Sequence, residues 1–217
     1  MKFIKILEAK TSKPRTREGF IKIVKKTIKE KGNNCDLNFI DTSLITDMSY
    51  LFASTKFNGD ISKWDTSNVK TMKNMFSSSS FNGDISNWNV SKVEDMSWMF
   101  DEAKSFNQPI GNWDVSNVKK MSHMFWGAEK FNQPLDNWEV SKVWDMERMF
   151  CGASNFNQPL KNWNVSNVYT MEGMFCRTSN FNQSLDNWNV SKVGNMRSMF
   201  IHSKLEKEHN LPKWYNE

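Results

Sequence analysis

Apolar and polar positions follow a phrase that the chain repeats, clearest between Phe131 and Phe150. Phe131-Asn132-Gln133-Pro134 carries the residue types of a turn. Trp138 and Val140 then alternate with polar neighbours, which predicts a short strand. Val143, Met146, Met149 and Phe150 fall at offsets 0, 3, 6 and 7 from the valine, the spacing of one apolar helix face. Ser141 precedes that run as a helix N-cap does, with equivalents at Ser67, Ser91, Ser116, Ser166 and Ser191, and Ser91-Lys92-Val93-Glu94 adds the pattern of a capping box. Gly152-Ala153-Ser154 closes the unit with a second turn. The predicted coil is one short strand, one short helix and two turns, giving an α/β fold class.

The tryptophan of the phrase recurs at Trp64, Trp88, Trp113, Trp138, Trp163 and Trp188, spaced by 24 residues once and by 25 thereafter. A fixed period of that length marks a solenoid whose coils bury a common core only by stacking. A worn copy without the tryptophan covers Leu37 to Lys56, so the array is expected to span 37–204, as one degenerate and six full coils. Before it, 1–36 reads as a basic N-terminal cap. It holds a strand at Phe3 to Leu7 and an amphipathic helix over Phe20 to Ile28 that Gly32-Asn33-Asn34 stops. The alternative reading of that helix is a basic face for an anionic membrane or a partner groove. Leu211-Pro212-Lys213-Trp214 echoes the strand phrase within a C-terminal cap, 205–217.

Charge alters this picture little. The net charge of +5 is a cap property, because residues 1–36 carry +7 and residues 37–217 carry −2. The array therefore shows no basic stripe, and a nucleic-acid partner is not expected. No apolar run approaches the ~20 residues of a membrane span. Lys5 and Glu8 interrupt the apolar start, so no signal peptide is read there. That leaves a cytoplasmic location as written, and compartment otherwise open. A monomer is expected. Three cysteines are too few for a disulfide framework. Cys151 and Cys176 share a column one coil apart, within disulfide reach. A bonded pair and neighbouring free thiols both fit, and reduced thiols are expected of freshly purified cytosolic protein.

Stacking turns each repeated position into a column. Asn58, Asn82, Asn107, Asn132, Asn157 and Asn182 suit an amide ladder that binds turn backbone groups. The residue after each serine alternates Asn68, Lys92, Asn117, Lys142, Asn167, Lys192, which spaces the lysines by two coils and lowers their repulsion. Asp95, Lys120 and Asp145 stack with alternating sign. The column Asp65, Asn89, Asp114, Glu139, Asn164 and Asn189 could offer oxygens to Ca²⁺, but solvated polar positions are the preferred reading. The Trp and Met columns read as core, not as a ligand platform. No Gly-rich phosphate loop, HExxH, CxxC or nucleophile elbow occurs, and His123, His202 and His209 occupy different repeat positions. No catalytic residue, metal or cofactor is assigned.

The phrase Phe-Asn-Gln-Pro-Leu-x-Asn-Trp-x-Val-Ser-x-Val-x-x-Met-x-x-Met-Phe-x-Gly-Ala, sustained from about Leu37 to Lys204, resembles the repeat of the BspA-like leucine-rich-repeat surface proteins, especially the mycoplasma-type branch. The approach Gly32 to Ser43 is similar to the family's lead-in. The resemblance implies a right-handed leucine-rich-repeat-like solenoid, a cell-surface location and attachment, some members being associated with host matrix proteins.

A non-enzymatic interaction module for a protein or glycan ligand follows as the expected function. A structural spacer without a ligand is the alternative, and an enzyme is a more distant one. At about 100° per helical residue, offsets 1, 5 and 8 cluster opposite the core face. There the repeats diverge and become aromatic: Trp144 and Tyr169 at offset 1, Trp98, His123 and Arg148 at offset 5, Trp126 with Cys151 and Cys176 at offset 8. Aromatics and Arg dominate binding hot spots, so this face is the expected partner site. Replacing Trp98, Trp126, Trp144 and Tyr169 by Ser is then expected to abolish binding without lowering stability.

Overall fold

The protein is described by a computed structural model covering residues 12–215; the strand expected at Phe3 to Leu7 and the signal-peptide question lie outside the described residues. Helix α1 (Arg17–Lys31) stands at one end and a single turn of helix, α2 (Lys204–Lys207), at the other. Between them the chain winds in coils, each about one repeat long, built from tandem turns.

The expected α/β solenoid, leucine-rich-repeat-like with one short strand and one short helix per coil, is not what forms. Among the described residues no helix lies between α1 and α2, and β pairing is confined to single-residue parallel bridges. One column of such bridges runs Asp47, Thr71, Asp95, Lys120, Asp145, Thr170, Asn195. The reason is visible over Met146 to Ala153. Met149 N–H donates to Met146 C=O and Ala153 N–H to Phe150 C=O, three residues back, whereas an α-helix needs a bond four residues back at every position. Arg148 has φ 49° and Gly152 φ 73°, left-handed values that end a right-handed helix and suit the third residue of a turn. Turn corners three residues apart reproduce the apolar spacing of a helix face. The strand is lost likewise, because Trp138 N–H donates to Leu135 C=O and Val143 N–H to Val140 C=O.

What the turns leave unpaired, the next coil satisfies. Met146, Arg148, Phe150 and Gly152 donate their amides to Thr170, Glu172, Met174 and Cys176 of the following coil at 2.8–3.1 Å, and Trp144 donates back to Lys119. The pattern recurs coil after coil. The Asn column adds a side-chain ladder, with Asn107 N–H donating to Asn82 Oδ1, Asn132 to Asn107 and Asn157 to Asn132 at 2.9–3.0 Å. The serines do not cap helices. Their amides donate to the side chain two residues earlier, as Ser116 does to Asp114 Oδ1 and Ser141 to Glu139 Oε1, so the Asp/Asn/Glu residue is the acceptor of an Asx-type turn.

Inside, three aromatic columns run the length of the stack. Phe52, Phe76, Phe100, Phe125, Phe150, Phe175 and Phe200 follow one another at 5.5–5.8 Å. A second phenylalanine column stacks on it within each coil, as Phe131 does on Phe125 at 4.1 Å. The tryptophans form the third, and each indole N–H donates to a carbonyl of the previous coil, Trp138 to Ile110 at 3.1 Å and Trp163 to Leu135 at 2.8 Å. The Met column is buried with them through most of the stack.

The ends differ. Helix α1 is capped by Thr16, lays Phe20 edge-on against Trp64 at 5.2 Å, and is tied to the first coil by Arg17 with Asp47 at 3.0 Å. At the other end Trp214 extends the indole column, donating to Leu185 C=O at 2.8 Å, and Glu206 of α2 accepts from His202 N–H. The amides of Met196, Ser198 and Phe200, whose equivalents all bond to a following coil, have no acceptor among the described residues.

The indole bond generates a test. Trp138→Phe removes one of the two donors to the Ile110 carbonyl, the other being the Trp113 amide, and is expected to cost about 0.5–1.5 kcal/mol, while Trp138→Ala is expected to cost about 3–5 kcal/mol through cavity formation. Denaturant melts separate the two, and a Phe variant as stable as the parent would remove the indole bond from the constraints on the coil.

Candidate functional site

Of the residues expected on one outward face, Trp144 and Tyr169 line one groove, Trp126 and Arg148 a second, and Trp98 and His123 line neither. Offsets 1, 5 and 8 belong together only on a helix; on a tandem-turn coil they sit at different corners. Trp144 and Tyr169 line an open groove of about 670 Å³ with Lys119, Lys142, Asn167 and Lys192. Trp126 and Arg148 line a smaller one, about 300 Å³, with Cys151, Glu172 and Cys176.

In the larger groove the aromatic rings face solvent, Trp144 39% and Tyr169 63% exposed. Among the described residues the other exposed large apolar side chains, Leu44, Tyr50 and Ile201, lie toward the two ends of the coil stack. Lys120 Nζ sits 5.1 Å from the Trp144 ring centroid, a cation–π distance. Lys142 and Lys192 each donate to an asparagine one coil back, Asn117 Oδ1 and Asn167 Oδ1, at 2.7 Å. The lysine–asparagine alternation is thus a hydrogen-bonded relay, and it places cations beside the aromatic pair. The sequence signal was present in that alternation together with the lysines and aromatics of offset 1, but charge totals over the array conceal it.

The second groove is more closed. Arg148 pairs with Glu172 at 3.2 Å. Trp98 stacks face to face on His123 at 3.7 Å between centroids, and both have positive φ, 61° and 56°. His123 is buried, its Nδ1 has no partner among the described residues, and burial first, then the Arg148 charge, holds its pKa down at about 4. Trp98 and His123 are therefore packing residues of the coil wall, and Ser at Trp98 would remove a stacked ring. Asp101, one coil back from Trp126 in its column, is also buried, and burial pushes its carboxyl up despite the Ser77 hydroxyl on Oδ2.

Cys151 and Cys176 are joined by a disulfide between adjacent coils, with Cα atoms 4.6 Å apart, where reduced thiols were expected. One coil of separation lies at the short end of the range the bond accepts. Cys35 is free and buried. The column considered for Ca²⁺ is engaged by its own turns: hydrogen bonds from the Ser67 hydroxyl and amide hold Asp65 below the usual carboxylate range, and those from Ser116 do the same for Asp114. Among the described residues no group of three or more His, Cys, Asp or Glu side chains is placed to hold a metal ion, and no helix is long and apolar enough to cross a membrane.

Two tests follow. Non-reducing peptide mapping is expected to recover a Cys151–Cys176 link, and finding both as free thiols would contradict the pairing. His123 has a folded pKa of about 4 against ~6.5 unfolded, so the unfolded chain binds the extra proton between these values. Its contribution is fully present above pH ~6.5 and is lost as pH falls toward 4, on the order of 2–3 kcal/mol. Asp101 slopes oppositely, so the readout is the difference between parent and His123→Asn melting curves across that window, Asn being tolerant of the left-handed backbone. Parallel curves would show that His123 is not held neutral.

No curated protein and no solved structure matches the chain. The family whose model matches is described as "Mycoplasma protein of unknown function, DUF285", and it covers residues 22–136 and 108–214 in two overlapping segments. Together these take in most of α1, the coil stack and most of the C-terminal cap, and the chain belongs to this mycoplasma-type repeat family.

Proposed function

We propose that the protein is a non-enzymatic interaction module that holds a protein or glycan ligand in the groove of Trp144 and Tyr169. One observation carries this reading. A stack that encloses three aromatic columns sets two large aromatic side chains on consecutive coils into solvent, in a groove with three lysines. Exposed aromatic pairs are costly to leave without a use and are the residues around which binding hot spots form. A spacer gains nothing from them. The resemblance to BspA-like surface proteins supports the same direction, toward attachment to host surface or matrix components from the cell surface.

The test is a screen of the protein against extracellular-matrix proteins and a glycan array, followed by the Trp144→Ser/Tyr169→Ser double variant. Affinity for the ligand found is expected to fall at least tenfold, about 1.4 kcal/mol. Stability is expected to fall modestly, by about 1–2 kcal/mol, because Trp144 is exposed over only 39% of its surface, and far-UV and thermal-melt controls confirm that the variant is folded. Full affinity in the double variant would move the site elsewhere on the stack. A protein that binds neither class of ligand would favour the spacer.

A further inference from the structure

Lys142 and Lys192 of the larger groove, and Lys92 in the same column beyond it, are held by neutral partners, whereas Lys119 of the groove is paired with Glu94 at 2.7 Å. Lys92, Lys142 and Lys192 donate to Asn68, Asn117 and Asn167 Oδ1, each at 2.7 Å, and those asparagines donate through Nδ2 to the carbonyls of Ser43, Ser91 and Ser141 at 2.7–2.9 Å. Each ammonium is therefore held against the stack by a neutral amide, which positions the charge without cancelling it. None of the three forms an ion pair among the described residues. Asp65 and Asp114, which feel Lys92 and Lys142 from further away, are engaged by Ser67 and Ser116.

These charges also have a period. Adjacent coils are 4.6 Å apart at Cys151 and Cys176, so ammonium groups on every second coil repeat at about 10 Å along the stack. Trp144 and Tyr169 offer two ring faces beside that line, with Lys120 over the Trp144 ring. A nucleic-acid strand carries a charge on every nucleotide, about 3.4 Å apart along a duplex strand, and same-face side chains of an extended peptide repeat at roughly 7 Å. A linear polysaccharide charged on alternate sugars repeats its charge once per disaccharide, a length on the scale of two coils.

We infer that the groove is a binding site for a linear acidic polysaccharide with one anionic group per disaccharide, sugar faces resting on Trp144 and Tyr169 and anionic groups on Lys142 and Lys192. This rests on the interaction-module reading and names its ligand class. The affinity is electrostatically assisted and weakens with salt, while the rings supply the contact that salt does not screen.

The experiment titrates the full chain with hyaluronan tetra-, hexa- and octasaccharides at low and physiological salt. Comparators are polygalacturonate, charged on every sugar, neutral dextran, and oligo(dT). Hyaluronan is expected to bind most tightly, with affinity levelling off once the oligosaccharide spans Lys142 to Lys192. Both Lys142→Gln/Lys192→Gln and Trp144→Ser/Tyr169→Ser should weaken it at least tenfold in protein that remains cooperatively folded at the assay temperature. Lys25→Gln/Lys29→Gln on α1 should leave it unchanged. Equal binding of polygalacturonate or oligo(dT), or equal loss in the α1 variant, would reduce the effect to general attraction of polyanions and overturn the inference. Binding of dextran that needs the two rings but not the lysines would overturn the charge match and leave the interaction module standing. So would a matrix protein that needs the rings while no polysaccharide binds.

Discussion

The stack depends on the backbone bonds between coils. With no helix between α1 and α2 and no strand longer than one bridge, a single coil cannot pair the amides of Met146, Arg148, Phe150 and Gly152; the following coil accepts all four. A lone coil leaves these amides to water and its aromatic core uncovered, so the bonds and the burial that hold a coil come only with its neighbours. Neighbour-to-neighbour coupling of this kind gives the stack the energetics of a one-dimensional array.

Side-chain columns follow from that register. Once the backbone places equivalent residues over one another, rings that stack well do so at every level, and each Phe–Phe contact adds ~0.5–1.5 kcal/mol beyond its buried area. Tryptophan holds its column because the indole joins an apolar face to one donor, which the carbonyl of the previous coil uses. Asparagine holds its column because its Oδ1 accepts an amide of the next coil. In both columns one side chain spans the seam between coils.

The period, the columns and the amphipathic helix near the start are all legible in the sequence, since each is a statement about recurrence. Local conformation is not. Val143, Met146, Met149 and Phe150 have the spacing of a helix face, and turn corners three residues apart produce the same spacing; positive φ at Arg148 and Gly152, which decides between them, has no apolar signature. The serine after each Trp-x-Val looks like a cap, yet its amide is the donor and the residue two before it the acceptor. Once the helix goes, its phase goes too, and the expected outward face divides into the Trp144 and Tyr169 groove and the wall around Trp98, His123 and Arg148.

At the far end, the amides of Met196, Ser198 and Phe200 point onward with the same spacing that every earlier coil offers its successor. Helix α2 and Trp214 close part of that end, with bonds from Glu206 to His202 and from Trp214 to Leu185. Each coil therefore presents a floor and a roof of one backbone design, and a pair of repeats added or removed together preserves the lysine–asparagine alternation as well as the backbone junctions. The backbone bonding between coils sets no limit of its own on their number, which makes the number of repeats the easiest feature of this architecture to change and its cross-section the hardest.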